Sequence, residues 1–533
     1  MGWTVTAVFF VLYTVVSVLR NDRMLNAGYD LGIFEQAIRA YAHGRAPIVE
    51  LKGPGFHLLG DHFHPILVLV APFYRLFPSG VTLLVVQAAL MALACFPLTR
   101  WAHRAVGPVT GLVVGCGLGA SWGLVAGVAK DFHEICFAVP LLAFSVTALG
   151  QRRWGAAAAW ALPLLLVKED LGLTLAAIGG YIAWQGLRER RHNSLERSGH
   201  SRERSHQPKN RRRDPGDGRR DPGDRRHDPG ERRHDSGDPA YHPGERRRFP
   251  VLLGVAVAFL GVAGTAVEIL VLLPAMNPRG GFDYWHQMPG EASSSGSLAG
   301  LASAGLHLLW PPMKWLLLFM LAAPTAFLGL RSPLTLLCVP TLAWRLLAGN
   351  EHYWQPNFHY NAILMPLVFA GLVDVLHRRP DIVPPRRRRK ALAFTAAFTA
   401  VTAAVYPLHD LVLPSAWRTP AHVRTAERLL SRIPDGDTVA SSNRLAPMLT
   451  GRTTVSLVCF GIGTGTGTGT GPDPAAPPAL PAHPPRWVVS DRHDPTVETP
   501  CPVDQTHRML RLYRAHGYVQ VAEEDGITLL RRP

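Results

Sequence analysis

PVLLGVAVAFLGVAGTAVEILVLLP, residues 250–274, is an unbroken apolar run with a single charge, Glu268. About 20 apolar residues in a helix cross the hydrocarbon of a bilayer, and this run is long enough to do so. Arg246, Arg247 and Arg248 precede it, separated only by Phe249. An apolar span with arginines at one end points that end at the cytoplasm.

Working outward from it, ten more segments approach the same standard: 3–19, 80–98, 108–127, 132–149, 154–167, 170–187, 313–330, 332–348, 361–377 and 391–413. The run 154–167 is short enough to be re-entrant. The stretch 65–77, broken by Pro65, Pro72 and Arg75, reads as an interfacial or re-entrant helix. With the N-terminus inside, the connections carrying Arg100 and Arg104, Arg152 and Arg153, the 188–249 insert, Arg331, and Arg378 to Lys390 are all cytoplasmic. Charge placement therefore supports the count independently of apolarity. The expected fold is an all-α polytopic membrane domain of about 11 transmembrane helices, N-in and C-out, in two halves, 1–187 and 250–413. A small soluble α/β domain, 414–533, follows it. Met1 to Leu19 has neither a basic leader nor an A-x-A cleavage pattern, so it reads as a retained first span.

A content of 47% hydrophobic and 18% charged residues argues against a set of soluble domains. The net charge of +16 is not a nucleic-acid signature, because the arginines sit between apolar spans; no nucleic-acid partner is expected. Residues 188–248 hold 19 Lys+Arg against 12 Asp+Glu, and within them RRDPGDG, RRDPGD, RRHDPGE and RRHDSGD repeat from Arg212 to Asp238. Such a segment has too little apolar surface to offset its ordering entropy and is expected to be disordered. The Gly/Thr run 463–471, inside a low-complexity stretch of 461–485, reads as a linker. Cys95, Cys116, Cys136 and Cys338 fall in apolar runs, while Cys459 and Cys501 lie in the C-terminal region, where they could pair if it faces an oxidising compartment. That region alternates as helix 420–433, strand 438–441, strand 487–490, helix 505–516 and strands 518–522 and 527–530, with no phosphate-binding glycine motif.

Polar residues collect on the side opposite the arginines. The first outward loop carries Tyr29, Asp30 and Glu35, then Asp61, His62 and His64; the next connections carry Lys130, Asp131, His133 and Glu134, then Lys168, Glu169 and Asp170. Further outward loops hold Phe282 to His286 and Glu351 to Asn361, including His359 and Tyr360. Ionisable groups at membrane depth usually line a cavity, so their gathering on one face suggests a shared polar chamber. Each group also has a plainer reading. Asp30 and Glu35 could cap a helix presenting Leu31, Phe34, Ile38 and Tyr41; Lys168, Glu169 and Asp170 could neutralise one another; the aromatic residues fit an interfacial belt. Asp61, His62 and His64 are candidate metal ligands, although an H-x-H pair is a weak signal. Carboxylates beside His and Lys at the lipid boundary suit a general base for an acceptor hydroxyl and cations, or a divalent metal, for a departing phosphate.

YDLGIFEQ from Tyr29, GDHFHP from Gly60, DFHEICFAVPLL from Asp131, LLLVKEDLGL from Leu164 and HYNAILMPLVFAG from His359 resemble domain-of-unknown-function family 2079, a set of bacterial membrane proteins. That family in turn resembles the GT-C membrane glycosyltransferases, which use polyprenyl-phosphate sugars and place a catalytic aspartate in the first outer loop. The resemblance implies a multi-pass protein of the bacterial cytoplasmic membrane with an extracytoplasmic C-terminal domain. It implies Asp30 as base with Glu35 in support, and Lys168, Glu169, His359 and Tyr360 at the donor phosphate; Tyr29, His62, His64, Asp131, His133 and Asp170 complete the candidate substrate-binding set. The first loop carries no D-x-D or E-x-D pair, so metal dependence stays open. A transporter or flippase for a lipid-linked or small polar solute, and a non-catalytic envelope scaffold, are the competing readings. The ionisable groups lie at the outer ends of the spans rather than the midplane, and the halves show no repeat, which disfavours the transporter.

A topology reporter fused after Pro533 is expected to score as extracytoplasmic. A cytoplasmic score would dissolve the one-sided chamber.

Overall fold

The computed structural model describes residues 1–205, 243–278, 280–282, 284, 310–459, 480–494 and 500–533, with the backbone alone for 192–205 and 243–247. The arginine-rich repeat, the Gly/Thr run, and Asp283, Trp285 and His286 lie outside the described residues.

Every apolar run named above coincides with a helical segment. Among the described residues five helices are long and apolar enough to cross a membrane: Gly2–Asp22, Gly80–Ala105, Pro108–Ala129, Arg248–Met276 and His359–Arg378. Shorter apolar helices cover Pro65–Leu76, Ile135–Gly150, Trp154–Leu166, Met313–Thr325 and Pro333–Leu347. Several are interrupted where the sequence requires it: Pro65, Pro163, Pro324 and Pro333 each begin a tighter turn, since a proline ring removes a donor and crowds the preceding turn. His359–Arg378 is the most enclosed of the five spans, whereas Arg248–Met276 shows most of its surface to the outside.

Arg248–Met276 packs along the Leu171–Ser205 helix through small residues. A Cβ on Gly179 would lie 2.4 Å from the backbone nitrogen of Ala258, and one on Gly254 would lie 2.4 Å from that of Ala183. The two backbones are therefore in direct contact, the close approach that small residues permit between membrane helices. Four of the five arginine-bearing connections also come together. Arg152, Arg188, Arg331, Arg378 and Arg379 line one cavity of about 650 Å³ with Glu189 and Asp374.

The C-terminal region is built on a mixed five-stranded sheet in the order β2-β1-β3-β5-β4. β1 (Thr438–Ser441) is parallel to both β2 (Thr454–Leu457) and β3 (Trp487–Asp491). β5 (Ile527–Arg531) runs antiparallel to β3 and to β4 (Val519–Glu524). Period-2 alternation sends Ala440, Val488 and Leu530, which align across the sheet, onto the Val503–Ala515 helix through Met509 and Tyr513. Val439, Val489 and Leu529 face the other way and join the core shared with the Ala421–Leu430 helix and the membrane helices. β2 was not anticipated from the sequence. Cys459 and Cys501 form a disulfide.

Gly179→Val should destabilise the fold by about 1 to 3 kcal/mol or more, because the obstacle is backbone that cannot rotate away. Gly180→Ala, where nothing lies within 4 Å of the new methyl, should be tolerated. The monodisperse fraction and thermal midpoint of each purified variant check both; equal behaviour would show that the helices do not cross here.

Candidate functional site

Asp30 sits in a single π-helical turn, Gly28–Gly32, that leads into the Ile33–Ala42 helix. Widened turns of this kind recur at functional sites. The turn is fastened from the C-terminal region: Asn443 accepts the Gly28 N–H through its carbonyl at 2.7 Å and the Tyr29 N–H through Oδ1 at 2.7 Å. The following helix is held by Gln36, which donates to the Val455 carbonyl at 2.8 Å, and by Arg39, which donates to the carbonyls of Thr450 and Thr453.

Asp30 Oδ1 lies 3.5 Å from Nε2 of His133, and its side chain keeps 45% of its surface open while His133 keeps 6%. His133 stacks on His359 with ring centroids 3.4 Å apart. Asp131 has φ +49°, a conformation that costs a non-glycine residue energy and that persists where surrounding contacts hold it. Here Gln87 holds it, donating to the Asp131 carbonyl and accepting the His133 N–H through Oε1, while Ala27 N–H reaches Asp131 Oδ1 at 3.1 Å.

A second group of charges adjoins the first. Lys168 Nζ pairs with Glu134 at 2.9 Å and lies over the Tyr360 ring. Glu169 pairs with His62 Nδ1 at 2.7 Å and accepts the Phe63 N–H. Asp170 accepts from the Trp344 indole at 3.0 Å. Arg345, fully buried, donates to the carbonyls of Tyr353 and Tyr360 and to Asn361 Oδ1. Tyr29, Asp30, Asp131, His133, Lys168, Glu169, His359 and Tyr360 are thus linked through direct or shared contacts. Lys130 adds a cation: it lies over the Phe358 ring and has no carboxylate within ion-pair reach among the described residues.

Electrostatics divide the two aspartates. Burial pushes the Asp131 carboxyl up to about 7, reinforced by the negative charge of Asp30. Partial loss of solvent pushes the more open Asp30 in the same direction, but His133 and Lys130 outweigh it and hold this carboxyl below its ordinary value. Burial lowers His64 to about 4, leaving a neutral ring at neutral pH.

Other candidates have different surroundings. Glu35 is buried, accepting hydrogen bonds from Tyr74 at 3.0 Å and from Thr450. It joins the first-loop helix to the C-terminal region rather than opening beside Asp30. Asp61, His62 and His64 do not converge as a ligand set. Asp61 pairs with Lys52 at 2.8 Å and accepts from Tyr284; His62 turns to Glu169; His64 packs near Phe34. Successive residues of a non-helical turn point in different directions, so an H-x-H spacing there brings no shared point. Sequence reasoning passed over Lys130 and Glu134 as individual site residues, and missed Asn443 and Arg345. Arg345 carried a usable signal, a guanidinium inside the apolar run 332–348, whereas Asn443 carried none.

These features define a mostly helical protein with several apolar spans, a cluster of charged and polar side chains brought together by its loops, and a small sheet at its C-terminus. The chain belongs to the family described as "Predicted membrane protein (DUF2079)", whose model matches residues 20–529. No curated protein matches it in sequence. Among solved structures it is similar to ArnT from Cupriavidus metallidurans, in a crystal structure bound to undecaprenyl phosphate, at 12% identity and a TM-score of 0.52 over 99% of this chain and 98% of ArnT. At that identity the likeness is one of fold.

The sign of the Asp131 shift gives a pH prediction. A carboxyl near 7 in the folded state, against about 3.9 unfolded, binds its proton more tightly when folded, so stability is lost as pH rises through that window. Asp131→Asn removes the loss. Its thermal midpoint relative to wild type should be more favourable at pH 8 than at pH 5; a pH-independent difference would show that Asp131 does not hold a proton.

Proposed function

We propose that this chain is a glycosyltransferase of the bacterial cytoplasmic membrane, transferring a sugar from a polyprenyl-phosphate donor to an envelope acceptor on the outer face. The carrying observation is an open, ionised Asp30 held by His133, with Lys130 influencing it as a cation outside ion-pair reach of any described carboxylate, while the neighbouring charges are largely matched. The ArnT-like fold supports a polyprenyl-phosphate ligand for it.

In this reading the acceptor hydroxyl gives its proton to Asp30 as its oxygen attacks the anomeric carbon. The bond from that carbon to the phosphate oxygen breaks, and the polyprenyl phosphate departs with the electron pair. Lys130 meets the growing phosphate charge, aided by Lys168 beside Tyr360. Asp131 is protonated below about pH 7, which relieves repulsion beside the base. Glu35 has a positioning role, holding the first-loop helix against Tyr74 and Thr450.

The N-in, C-out arrangement with about 11 spans belongs to the same proposal, as does the division at 188–249 and 414. Two features support it: four of the five arginine-bearing connections contribute to one cavity, and the Cys459–Cys501 disulfide suits an oxidising, extracytoplasmic compartment.

Purified protein offered a panel of radiolabelled polyprenyl-phosphate sugars is expected to transfer label with at least one donor. Asp30→Asn should lower that transfer roughly 100- to 10,000-fold without moving the thermal midpoint. Equal transfer by the variant would remove Asp30 as the base; no transfer from any donor by wild type would favour the transporter or scaffold.

A further inference from the structure

A separate cluster lies where three elements of the C-terminal region meet. His422 stands in the first turn of the Ala421–Leu430 helix, Asp491 ends β3, His493 follows two residues later, and Asp525 occupies the turn joining β4 to β5. The register pairs Asp491 with Ile527, and the Arg492 N–H donates to the Gly526 carbonyl at 3.0 Å, so the β3 end and the hairpin turn are neighbours. Asp525 and Gly526 have φ +50° and +79°, the two-residue turn that Asp-Gly sequences favour because both positions need positive φ. Gly526 is required for a second reason: a Cβ there would lie 2.7 Å from the His493 ring.

A ring nitrogen of His422, a ring nitrogen of His493 and a carboxylate oxygen of Asp525 all lie within 4.8 Å of one another. His422 Nδ1 is 2.9 Å from Asp525 Oδ2, while its Nε2 is 2.8 Å from Asp491 Oδ2. Asp491 is buried, and its other oxygen accepts the His493 N–H at 2.9 Å. One carboxylate thus orients the first imidazole through its far nitrogen and fixes the backbone of the second. Metal-binding histidines are commonly held in this way, with the distal N–H on a carboxylate and the other nitrogen free for the ion. An ion pair alone would use His422 and its two carboxylates; the His493 ring, 5.5 Å from that of His422 between centroids, has no hydrogen-bond partner among the described residues.

We propose that His422, His493 and Asp525 bind a divalent cation of the zinc class, with Asp491 orienting His422 and water completing the coordination. Two imidazoles and one carboxylate suit zinc and its transition-metal neighbours rather than calcium or magnesium, which favour oxygen ligands. The cation replaces the proton on His422 Nδ1 and ties the helix, the β3 end and the β4–β5 hairpin together.

The test uses the full-length protein in detergent, stripped with chelator and titrated with Zn²⁺, and with Co²⁺ as a spectroscopic probe. The chain has 23 histidines, so the decisive quantity is a difference in stoichiometry. Wild type should bind one equivalent more than His493→Ala, with a thermal midpoint that Zn²⁺ raises and that Mg²⁺ and Ca²⁺ leave alone. His493→Ala keeps the His422 ion pairs, so it should fold and lose only the metal response; Asp525→Asn should weaken binding at least tenfold. Equal stoichiometry and equal thermal response in wild type and His493→Ala would overturn the site and leave an ion-pair cluster.

Discussion

Two hydrogen bonds to Asn443 support much of the candidate site. They take the Gly28 and Tyr29 N–H groups just before Asp30, at a turn whose widened geometry leaves backbone donors in need of partners. The membrane helices alone do not determine where this loop rests. Its position is set by a residue more than 400 positions later, with Gln36, Arg39 and Glu35 repeating the connection along the next helix. The C-terminal sheet, whose inner face continues into the membrane core, is therefore part of the scaffold that aims Asp30.

Charge in the candidate site follows from the cost of burying it. An isolated ion in low dielectric is prohibitively unfavourable, so each must be paired, hydrogen-bonded or neutral. Lys168 with Glu134, His62 with Glu169 and Lys52 with Asp61 take the first course, and Asp131 takes the last below about pH 7. This pairing leaves Asp30 and Lys130 as the most available charges. Their availability is a difference in surroundings rather than in residue type, as with two carboxylates whose neighbours separate their roles.

The apolar runs made the helices legible because membrane helices must carry a long local pattern, and the alternating strands of the C-terminal region were legible for a similar reason. The polar gathering was expected from placing the arginines on one side, and Asp30, His133, His359, Lys168 and Tyr360 do come near one another. Pairing could not be foreseen. The family resemblance implied Glu35 as a support for Asp30, but Thr450 and Tyr74 engage its carboxylate. Asp61, His62 and His64 looked like ligands from spacing, but each turns to a different neighbour. A lone Asn443 in a polar segment has no periodicity that marks it as the residue holding the first loop. Such contacts over hundreds of residues depend on tertiary packing, which local patterns do not encode.

The glycine contact between the Leu171–Ser205 and Pro243–Val267 helices bears on the long arginine-rich segment that separates them in sequence. With both helices clamped backbone to backbone, the chain between them is a closure whose ends are already fixed. Each doubling of such a closure costs only about 0.6 kcal/mol in entropy. A short repeat can then lengthen or shrink by replication slippage with little penalty to the folded protein. The fold offers a permissive port at this point, where neutral drift can accumulate or an unrelated domain can be grafted while the helices beneath keep their register.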